Sequence, residues 1–429
     1  MRSESPFSFS KIWVLGFGFL GISLLWATYD DFVPVMLQAG RPDFSKGAGV
    51  QGFGLSPSTT GLIMGLDNFA ALFILPYIGG LSDRTRTRWG RRKPFIAIGA
   101  PIAALAFTIA PLMLGQPLAF FMAALIVTLL AMDIFRTPVV ALMPDLTPLP
   151  YRSQSNGVIN FMGGLGGVVA AMIGGRLFGV SPVAPFLLAA GGMLVAQMIL
   201  LAAVREPVQA EAPEELETAS LGVLPSFLAV VRDRDRSTLL LLGAISCWFL
   251  GQNAFGTWFT SYAIQQFALD AGQAVTLKGW FTFSALICSL PSGVVGGKIG
   301  RRQAILIGLV ILAVAVGAGY FVPNSDWMKP FLVLGGFGWM LVVVNSLPLV
   351  LDFAPPSRAG TYTGLYYLAS QTASFMSPAI SGWVFERLGN NYRLLCLYSP
   401  MALVVAFLLL WGVKRRQNEV APVTEGPDK

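Results

Sequence analysis

Residues 79–95 of the chain read G-G-L-S-D-R-T-R-T-R-W-G-R-R-K-P-F. This stretch places six basic residues and one acidic residue between two long apolar segments. So many cations beside a bilayer are favoured on its inner side, where the lipid surface is negative and the positive-inside rule applies. The stretch therefore predicts a cytoplasmic hairpin between two membrane helices, and it sets the expected orientation of the chain.

The composition of the 429-residue chain is typical of a polytopic membrane protein. Hydrophobic residues make up 55% of it and charged residues 12%, with a mean hydropathy of +0.66, whereas soluble domains carry roughly 25% charged residues. Apolar runs of about 20 residues recur, the length that a helix needs to cross a bilayer. The net charge of +7 is concentrated in short loops and the C-terminal tail. We therefore expect a lipid bilayer, and not nucleic acid, as the partner of these cations.

Histidine is absent from the chain, and the three cysteines have no CxxC spacing. The usual zinc ligands and the usual group that titrates near neutral pH are therefore missing, and neither a metal site nor a cofactor is expected. No phosphate-binding loop or catalytic constellation is recognisable, so we do not expect an enzyme. Any proton chemistry must run through carboxylates.

Run lengths and turn residues predict an all-α polytopic membrane protein with twelve transmembrane helices in two pseudo-symmetric six-helix bundles. The helices are expected to begin near residues 12, 58, 94, 118, 154, 183, 238, 276, 303, 330, 360 and 394. The predicted domains are an N-terminal bundle at 1–204, a cytoplasmic linker with an interfacial helix at 205–236, a C-terminal bundle at 237–413 and a cytoplasmic tail at 414–429. With twelve spans the basic loops share one side, so both termini are predicted to be cytoplasmic, in an inner or plasma membrane.

The two halves repeat one another in sequence. A tryptophan is followed by two polar residues at the same separation in each half, at Trp26, Asp30 and Asp31 and at Trp248, Gln252 and Asn253. The loop after the second span begins G-G-L-S-D-R, and a shorter G-G-K-I-G-R-R follows the eighth span at residues 296–302. Parallel six-helix repeats around a central cavity are the plan of large secondary transporters.

Two loops carry a resemblance to a known family. The pattern G-x-x-S-D-R-x-x-x-R-x-G-R-R-x-P-F at residues 79–95 resembles the loop between the second and third helices of major facilitator proteins, in the form of the glycoside-pentoside-hexuronide:cation symporters. The ending R-R-K-P-F is more similar to sucrose/proton symporters, and P-V-V-A-L-M-P-D-L at residues 138–146 resembles a second motif of that group. The resemblance implies proton-coupled uptake of a glycoside, commonly sucrose or another disaccharide. Sodium-coupled members carry an acid before a proline where this chain has Leu75, which favours protons.

Charged side chains inside apolar helices are costly and are therefore candidate functional groups. Five such residues are predicted to serve proton coupling: Asp133, Arg136, Asp67, Asp30 and Asp31. Asp133 and Arg136 are three residues apart and could pair, either as part of the cavity or as a static salt bridge. Adjacent residues point about 100° apart on a helix, so at most one of Asp30 and Asp31 is expected to face a cavity squarely.

Aromatic and amide side chains near the predicted cavity are candidates for binding a sugar. Sugar hydroxyls need paired donors and acceptors, and sugar C–H faces stack on aromatic rings. The predicted substrate-binding residues are Trp26, Trp248, Gln252, Asn253, Trp258, Asn345, Tyr366 and Gln371. For any one aromatic residue the alternative is plain packing or a place in the interfacial belt.

Acids and arginines at the cytoplasmic ends of the spans are predicted to form a gate. Their charged hydrogen bonds would hold the two halves together and break when the inside opens. The predicted gate residues are Asp83, Arg84, Arg91 and Arg92, together with two further pairs, Asp145 with Arg152 and Asp352 with Arg358. The alternative is that these residues serve only as topology signals.

Three functions are compatible with the sequence. The first is a proton-coupled importer of a glycoside, working as a monomer with a small-molecule substrate and a proton. The second is an exporter of amphipathic compounds, and the third is a membrane sensor or scaffold. Buried charges and two copies of the gate motif argue against a scaffold, and the form of the 79–95 loop argues against an exporter.

Overall fold

The computed structural model describes residues 9–42, 44, 49–148, 151–204, 206, 236–354 and 359–413, without the side chains of residues 9–11, 72, 152–154 and 359. The predicted interfacial helix of the linker, the C-terminal tail, Arg358 and the side chain of Arg152 therefore lie outside the described part of the chain. The boundaries of the linker at 205 and 236 stay a prediction.

The described part of the chain contains twelve long helices, as predicted. The first six are α1 (Phe9–Gln38), α2 (Pro57–Arg84), α3 (Lys93–Leu112), α4 (Leu118–Leu146), α5 (Arg152–Val169) and α6 (Ala184–Ala203). The last six are α7 (Ser237–Phe267), α8 (Ala271–Ile299), α9 (Arg301–Ala318), α10 (Ser325–Asp352), α11 (Ala359–Arg387) and α12 (Leu395–Trp411). Helix α5 continues through one π-helical segment, Ala170–Gly174, into a last turn at Gly175–Phe178.

Eleven of the described helices are long and apolar enough to cross a membrane. Helix α11 is the exception, although its 29 residues are sufficient in length. Its sequence is rich in serine, threonine and tyrosine. A helix with this composition needs protein or water along part of its surface in place of lipid. Helix α11 packs against α2 and α7 in the centre of the molecule, which provides such an environment.

The helix packing repeats between the two halves. Helix α1 packs on α5 and α6, and α3 packs on α4 and α6, while α7 packs on α11 and α12, and α9 packs on α10 and α12. The contacts between the halves follow the same relation, since α2 packs on α11 and α8 packs on α5. The protein is therefore built from two pseudo-symmetric six-helix bundles, and α1 adds further contacts to the seam between them through α7 and α8.

The two ends of the seam differ. We call the end with the 84–93 loop the basic face and the other end the opposite face. Near the opposite face α2 and α11 touch closely, since a methyl group on Gly61 or Gly65 would overlap the carbonyl oxygen of Pro378 or Phe375. Towards the basic face a methyl group on Gly80 would meet no other atom within 4 Å. The seam is therefore closed at the opposite face, whereas at Gly80 near the basic face α2 has no close neighbour.

A substitution at Gly61 tests this close contact. We expect Gly61→Leu to force α2 away from the backbone of α11 and to lower the free energy of unfolding by about 1–3 kcal/mol, as overpacking does. The measurement is thermal unfolding of the purified protein in detergent. Gly80→Leu, on the same helix, is the matched control and should unfold like the wild type, and an equal loss in both variants would contradict the close contact.

Candidate functional site

A cavity of about 200 Å³ lies between the two halves. Helices α1, α2 and α4 of the first half and α7 and α11 of the second half contribute its walls. The lining residues are Trp26, Asp30, Met64, Asp67, Asn68, Ala71, Arg136, Asn253, Gly256, Thr257, Gln371, Ser374 and Pro378. Six of them, namely Trp26, Asp30, Asp67, Arg136, Asn253 and Gln371, are residues that the sequence singled out.

The wall from the first half carries the charges. Asp30 and Asp67 both line the cavity, and among the described residues neither carboxylate forms an ion pair. One oxygen of Asp67 accepts hydrogen bonds from the backbone N–H of Asn68 at 2.6 Å and from its side-chain amide at 2.8 Å. Arg136 places its guanidinium 5.8 Å from the ring centre of Trp26, within the range of a cation–π interaction. This wall can therefore bind a proton or a cation, and its arginine can donate hydrogen bonds.

The wall from the second half is uncharged and polar. The side-chain amide of Asn253 donates to the hydroxyl of Ser374 at 3.1 Å and to the carbonyl of Phe249 at 2.8 Å. Gln371 and Thr257 line the same side. Amides and hydroxyls supply both donors and acceptors, which is the pairing that a polyhydroxylated solute requires.

Asp133 and Arg136 do not form the salt bridge that their spacing allowed, since no charged pair within 4.0 Å joins them. Three residues on an α-helix are about 60° apart around the axis. The guanidinium of Arg136 turns towards Trp26, whereas Asp133 is buried and does not line the cavity.

Asp31 is placed differently from its neighbour. It does not line the cavity and forms an ion pair of 2.6 Å with Lys278 of α8. The sequence analysis missed Lys278, because a predicted span beginning near residue 276 put it at a helix end. Helix α8 begins at Ala271, so Lys278 lies about 10 Å inside the helix at 1.5 Å per residue. A lysine just after the start of an apolar run was the signal that could have found it.

Five predicted substrate-binding residues do not line the cavity. Trp258 and Trp248 are fully buried, and the indole N–H of Trp258 donates to the hydroxyl of Ser381 at 2.8 Å. The amide of Asn345 donates to two backbone carbonyls, and the hydroxyl of Tyr366 lies 3.0 Å from that of Ser346. In this conformation these four residues belong to contacts between helices, and the buried side-chain oxygen of Gln252 has no hydrogen-bond partner among the described residues. An amphipathic residue near the centre of a bundle can face a neighbouring helix as easily as a cavity, and spacing alone does not distinguish the two.

The sequence repeat also fails to predict which residues face the cavity. It aligns Asp30 with Gln252 and Asp31 with Asn253. In the structure Asp30 and Asn253 line the cavity. These two residues are offset by one position in the alignment of the halves on Trp26 and Trp248. One position is a rotation of about 100° around a helix. Helices α1 and α7 therefore present different faces of the repeat to the cavity.

A family model covers most of the chain. The model described as Major Facilitator Superfamily matches residues 13–378. The chain belongs to the Major Facilitator Superfamily. Two solved structures show the same fold over 94% of the chain. One is a mutant of the nucleoside transporter NupG, with a TM-score of 0.72, 14% sequence identity and 100% coverage of that chain. The other is the peptide transporter POT in complex with sulfate, with a TM-score of 0.67, 15% sequence identity and 94% coverage of that chain.

Curated relatives in the superfamily match shorter segments. The inner membrane metabolite transport protein YdjE of Escherichia coli is 26% identical over 30% of this chain and 28% of its own length. The probable galactarate/D-glucarate transporter GudP of the same organism is 25% identical over 39% of both chains. The multi-drug resistance efflux pump PmrA of Streptococcus pneumoniae is 25% identical over 38% of this chain and 40% of its own length. Each match therefore spans well under half of the relative.

The charged residues on the basic face of this superfamily member form a cluster within the first half. Arg92 forms ion pairs with Asp83 at 2.5 Å and with Asp145 at 3.1 Å, and Arg91 reaches Asp145 at 2.6 Å. Glu206 accepts hydrogen bonds from the backbone N–H groups of residues 91, 92 and 93. The cluster ties together the ends of α2, α3 and α4, so it stabilises one bundle.

The second half has a smaller counterpart. Arg301 at the start of α9 pairs with Asp352 at the end of α10, where the sequence predicted Arg358 as the partner of Asp352. The ion pairs of the described gate residues each stay within one bundle, and the predicted gate between the two halves stays a prediction. Arg84 is exposed, and the side chain of Arg152 and residue Arg358 lie outside the described residues.

Substitution of Arg92 tests the cluster in the first half. The side chain of Arg92 is 5% exposed. Arg92→Met would remove the ion pairs that its guanidinium forms with Asp83 and Asp145. Removal of one partner of a charged hydrogen-bonded pair leaves the other unsatisfied, and we expect a loss of about 1–3 kcal/mol in the free energy of unfolding. The exposed Arg88 in the same loop provides the control, and Arg88→Met should unfold like the wild type. A thermal unfolding temperature unchanged by Arg92→Met would contradict a stabilising role.

Proposed function

We propose that the protein is a proton-coupled symporter of a glycoside, such as sucrose or another disaccharide, that works by alternating access. The observation that carries the proposal is the composition of the central cavity. Two carboxylates without an ion-pair partner face a wall of amides and hydroxyls across a space of about 200 Å³. One wall suits a proton, and the other suits a polyhydroxylated solute.

The carboxylates of Asp30 and Asp67 are suited to carry the proton. A charged carboxylate inside a membrane protein is costly unless a cation, a metal, water or a proton compensates it. The basic side chain in this wall is that of Arg136, whose guanidinium lies over the ring of Trp26. Protonation of Asp30 or Asp67 would neutralise a negative charge in the cavity before the cavity changes the side to which it opens. Movement of the bound solute would then be coupled to the proton gradient.

The uncharged wall of the cavity supports a sugar as the solute that is transported with the proton. Asn253, Gln371, Thr257 and Ser374 offer donors and acceptors, and Trp26 offers an aromatic ring. Sites for drug-sized ligands measure about 300–1,000 Å³, so a disaccharide would require the cavity to widen. A single sugar ring is the smaller alternative within the same chemical class. The similarity to relatives named as metabolite and galactarate/D-glucarate transporters supports a polar solute.

A second candidate function is proton-coupled export of amphipathic cations. The observation in its favour is the excess of acidic over basic side chains in the cavity, with Asp30 and Asp67 against Arg136. The similarity to the efflux pump PmrA agrees with it. An amphipathic cation also needs apolar surface, whereas most of the lining residues are polar. The sugar symporter therefore remains the first proposal.

The proposal includes an orientation. By the positive-inside rule, the basic loops support a cytoplasmic location of the basic face, and with it of both termini, in an inner or plasma membrane. The structure would then be the state closed to the outside. One chain contains both halves and the whole cavity, so a monomer would suffice for transport.

Proteoliposomes test the proposal. We expect the interior to acidify when sucrose, maltose or single-ring sugars are added outside, because symport carries protons inwards with the solute. Asp30→Asn and Asp67→Asn should each abolish this pH signal while solute exchange continues, because the amide cannot release a proton. Asp326→Asn removes an acid exposed at the opposite face and is the matched control. Full sugar-driven acidification in both cavity variants would exclude these acids as proton carriers.

The same vesicles separate the two candidate functions. Absence of a pH signal with every sugar, together with proton-linked movement of a lipophilic cation, would replace the symporter by the exporter. Sugar exchange without any proton movement in the wild type would keep the solute and exclude the coupling.

A further inference from the structure

Among the described residues, one buried ion pair joins the two halves of the protein. The ammonium group of Lys278 on α8 lies 2.6 Å from a carboxylate oxygen of Asp31 on α1. The same ammonium group donates to the backbone carbonyl of Gly256 on α7 at 2.5 Å. Lys278 is 8% exposed and Asp31 is 4% exposed. The pair thus connects one helix of the first bundle to two helices of the second.

Burial makes this pair sensitive to the separation of its partners. Each charge compensates the other, and removal of either one from a buried pair is strongly destabilising. Inside a membrane protein neither water nor lipid replaces the lost partner unless the site is opened. Other hydrogen bonds between the halves join two uncharged groups or lie at a less buried position than the ion pair. They include Gln38 with Ser261 at 3.1 Å and the backbone N–H of Ser58 with Glu386 at 3.0 Å.

The pair lies on the closed side of the seam. Lys278 is about 10 Å from the start of α8, and Asp31 is about 10 Å from the end of α1, at 1.5 Å per residue. Both of those helix ends are at the opposite face. A motion that opens the cavity to that face by separating α1 from α8 would therefore break the pair.

The pair is also attached to the cavity wall at both ends. Asp31 follows Asp30 directly in the chain, and Gly256, whose carbonyl binds Lys278, lines the cavity beside Thr257. A methyl group on Gly256 would meet no other atom within 4 Å, so its Cα faces open space while its carbonyl faces Lys278. A change of charge at Asp30 or a solute against Gly256 therefore acts on the immediate neighbours of the pair.

We propose that Lys278 is a positioning residue of the transport cycle, whose ion pair with Asp31 keeps the cavity closed at the opposite face and must break for the cavity to open there. The proposal rests on the proposed alternating-access function. Lys278 serves as a tethered cation for Asp31 in the closed state. In the state that is open at that face, water enters the seam and solvates the separated charges of Asp31 and Lys278. Asp30 and Asp67 are the further charged groups near this part of the cavity.

The test measures a distance across the opposite face. Val180, after α5, and Phe321, after α9, lie in different halves at that face, and both are 81% exposed. Spin labels at Val180→Cys and Phe321→Cys, after replacement of the three native cysteines, report the distance between the halves in lipid vesicles. The variants are Lys278→Met, Asp31→Asn, the two together, and the exchange of the pair by Asp31→Lys with Lys278→Asp.

We expect one short distance in the wild type and a longer second distance in Lys278→Met and in Asp31→Asn. Since loss of one partner from a buried pair is costly, the longer-distance population should grow by about tenfold or more. The exchanged pair should restore the short distance, which loss of packing would not do. Lys329→Met is the matched control. Lys329 forms a pair of the same length with Asp326, but that pair is exposed and lies within α10, so its loss should leave the distance unchanged.

Two results would overturn the proposal. One is an unchanged distance in folded Lys278→Met and in the double variant. The other is a shift in the single variants that the exchanged pair does not reverse. If the single variants do not fold, the double variant decides, because it leaves no unpaired charge and should still show the longer distance. The measurement needs no sugar and no proton gradient, so failure of the proposed substrate would leave its outcome unaffected.

Discussion

The cost of charge inside a membrane organises this protein. Asp31 and Lys278 compensate each other across the seam between the bundles. Asp30, Asp67 and Arg136 line a polar cavity, and Arg136 lies over the ring of Trp26. Near the basic face, Arg91 and Arg92 share Asp145 and Asp83 within one bundle. The positions of these charges coincide with the parts of the fold that a transporter would use: its cavity, its seam and its loops.

Much of the fold could be predicted from the sequence, because the bilayer imposes a strong and simple constraint on helices. Run length predicts the number of spans, and the 79–95 loop predicts where one hairpin turns. The repeat predicts two bundles, and the packing of α1 on α5 and α7 on α11 agrees with it. Helix α11 shows that mean hydropathy by itself does not identify every long helix of the bundles. Its polar residues suit the seam between the bundles, and they make the helix too polar to meet a hydropathy criterion for a membrane span.

The site could be predicted only in part, because the direction of a side chain depends on which helix packs beside it. Trp26 and Trp248 occupy matching places in the repeat, but only Trp26 lines the cavity. Trp258 finds a hydrogen-bond partner in Ser381, a residue distant in sequence. Lys278 was missed because the start of α8 was placed five residues too late. Ion pairs at helix ends were assigned to neighbours along the chain, whereas Asp352 pairs with Arg301 of another helix.

Alternating access is the central claim, and sided chemical labelling of the cavity tests it most directly. Gln371 lines the cavity and is half-buried, so Gln371→Cys in a protein without its three native cysteines provides one reactive site. A membrane-impermeant maleimide is applied from either side of oriented vesicles, with and without a transported sugar. We predict labelling from the basic face alone without sugar, and labelling from both faces with it. Labelling from a single face under every condition would contradict alternating access.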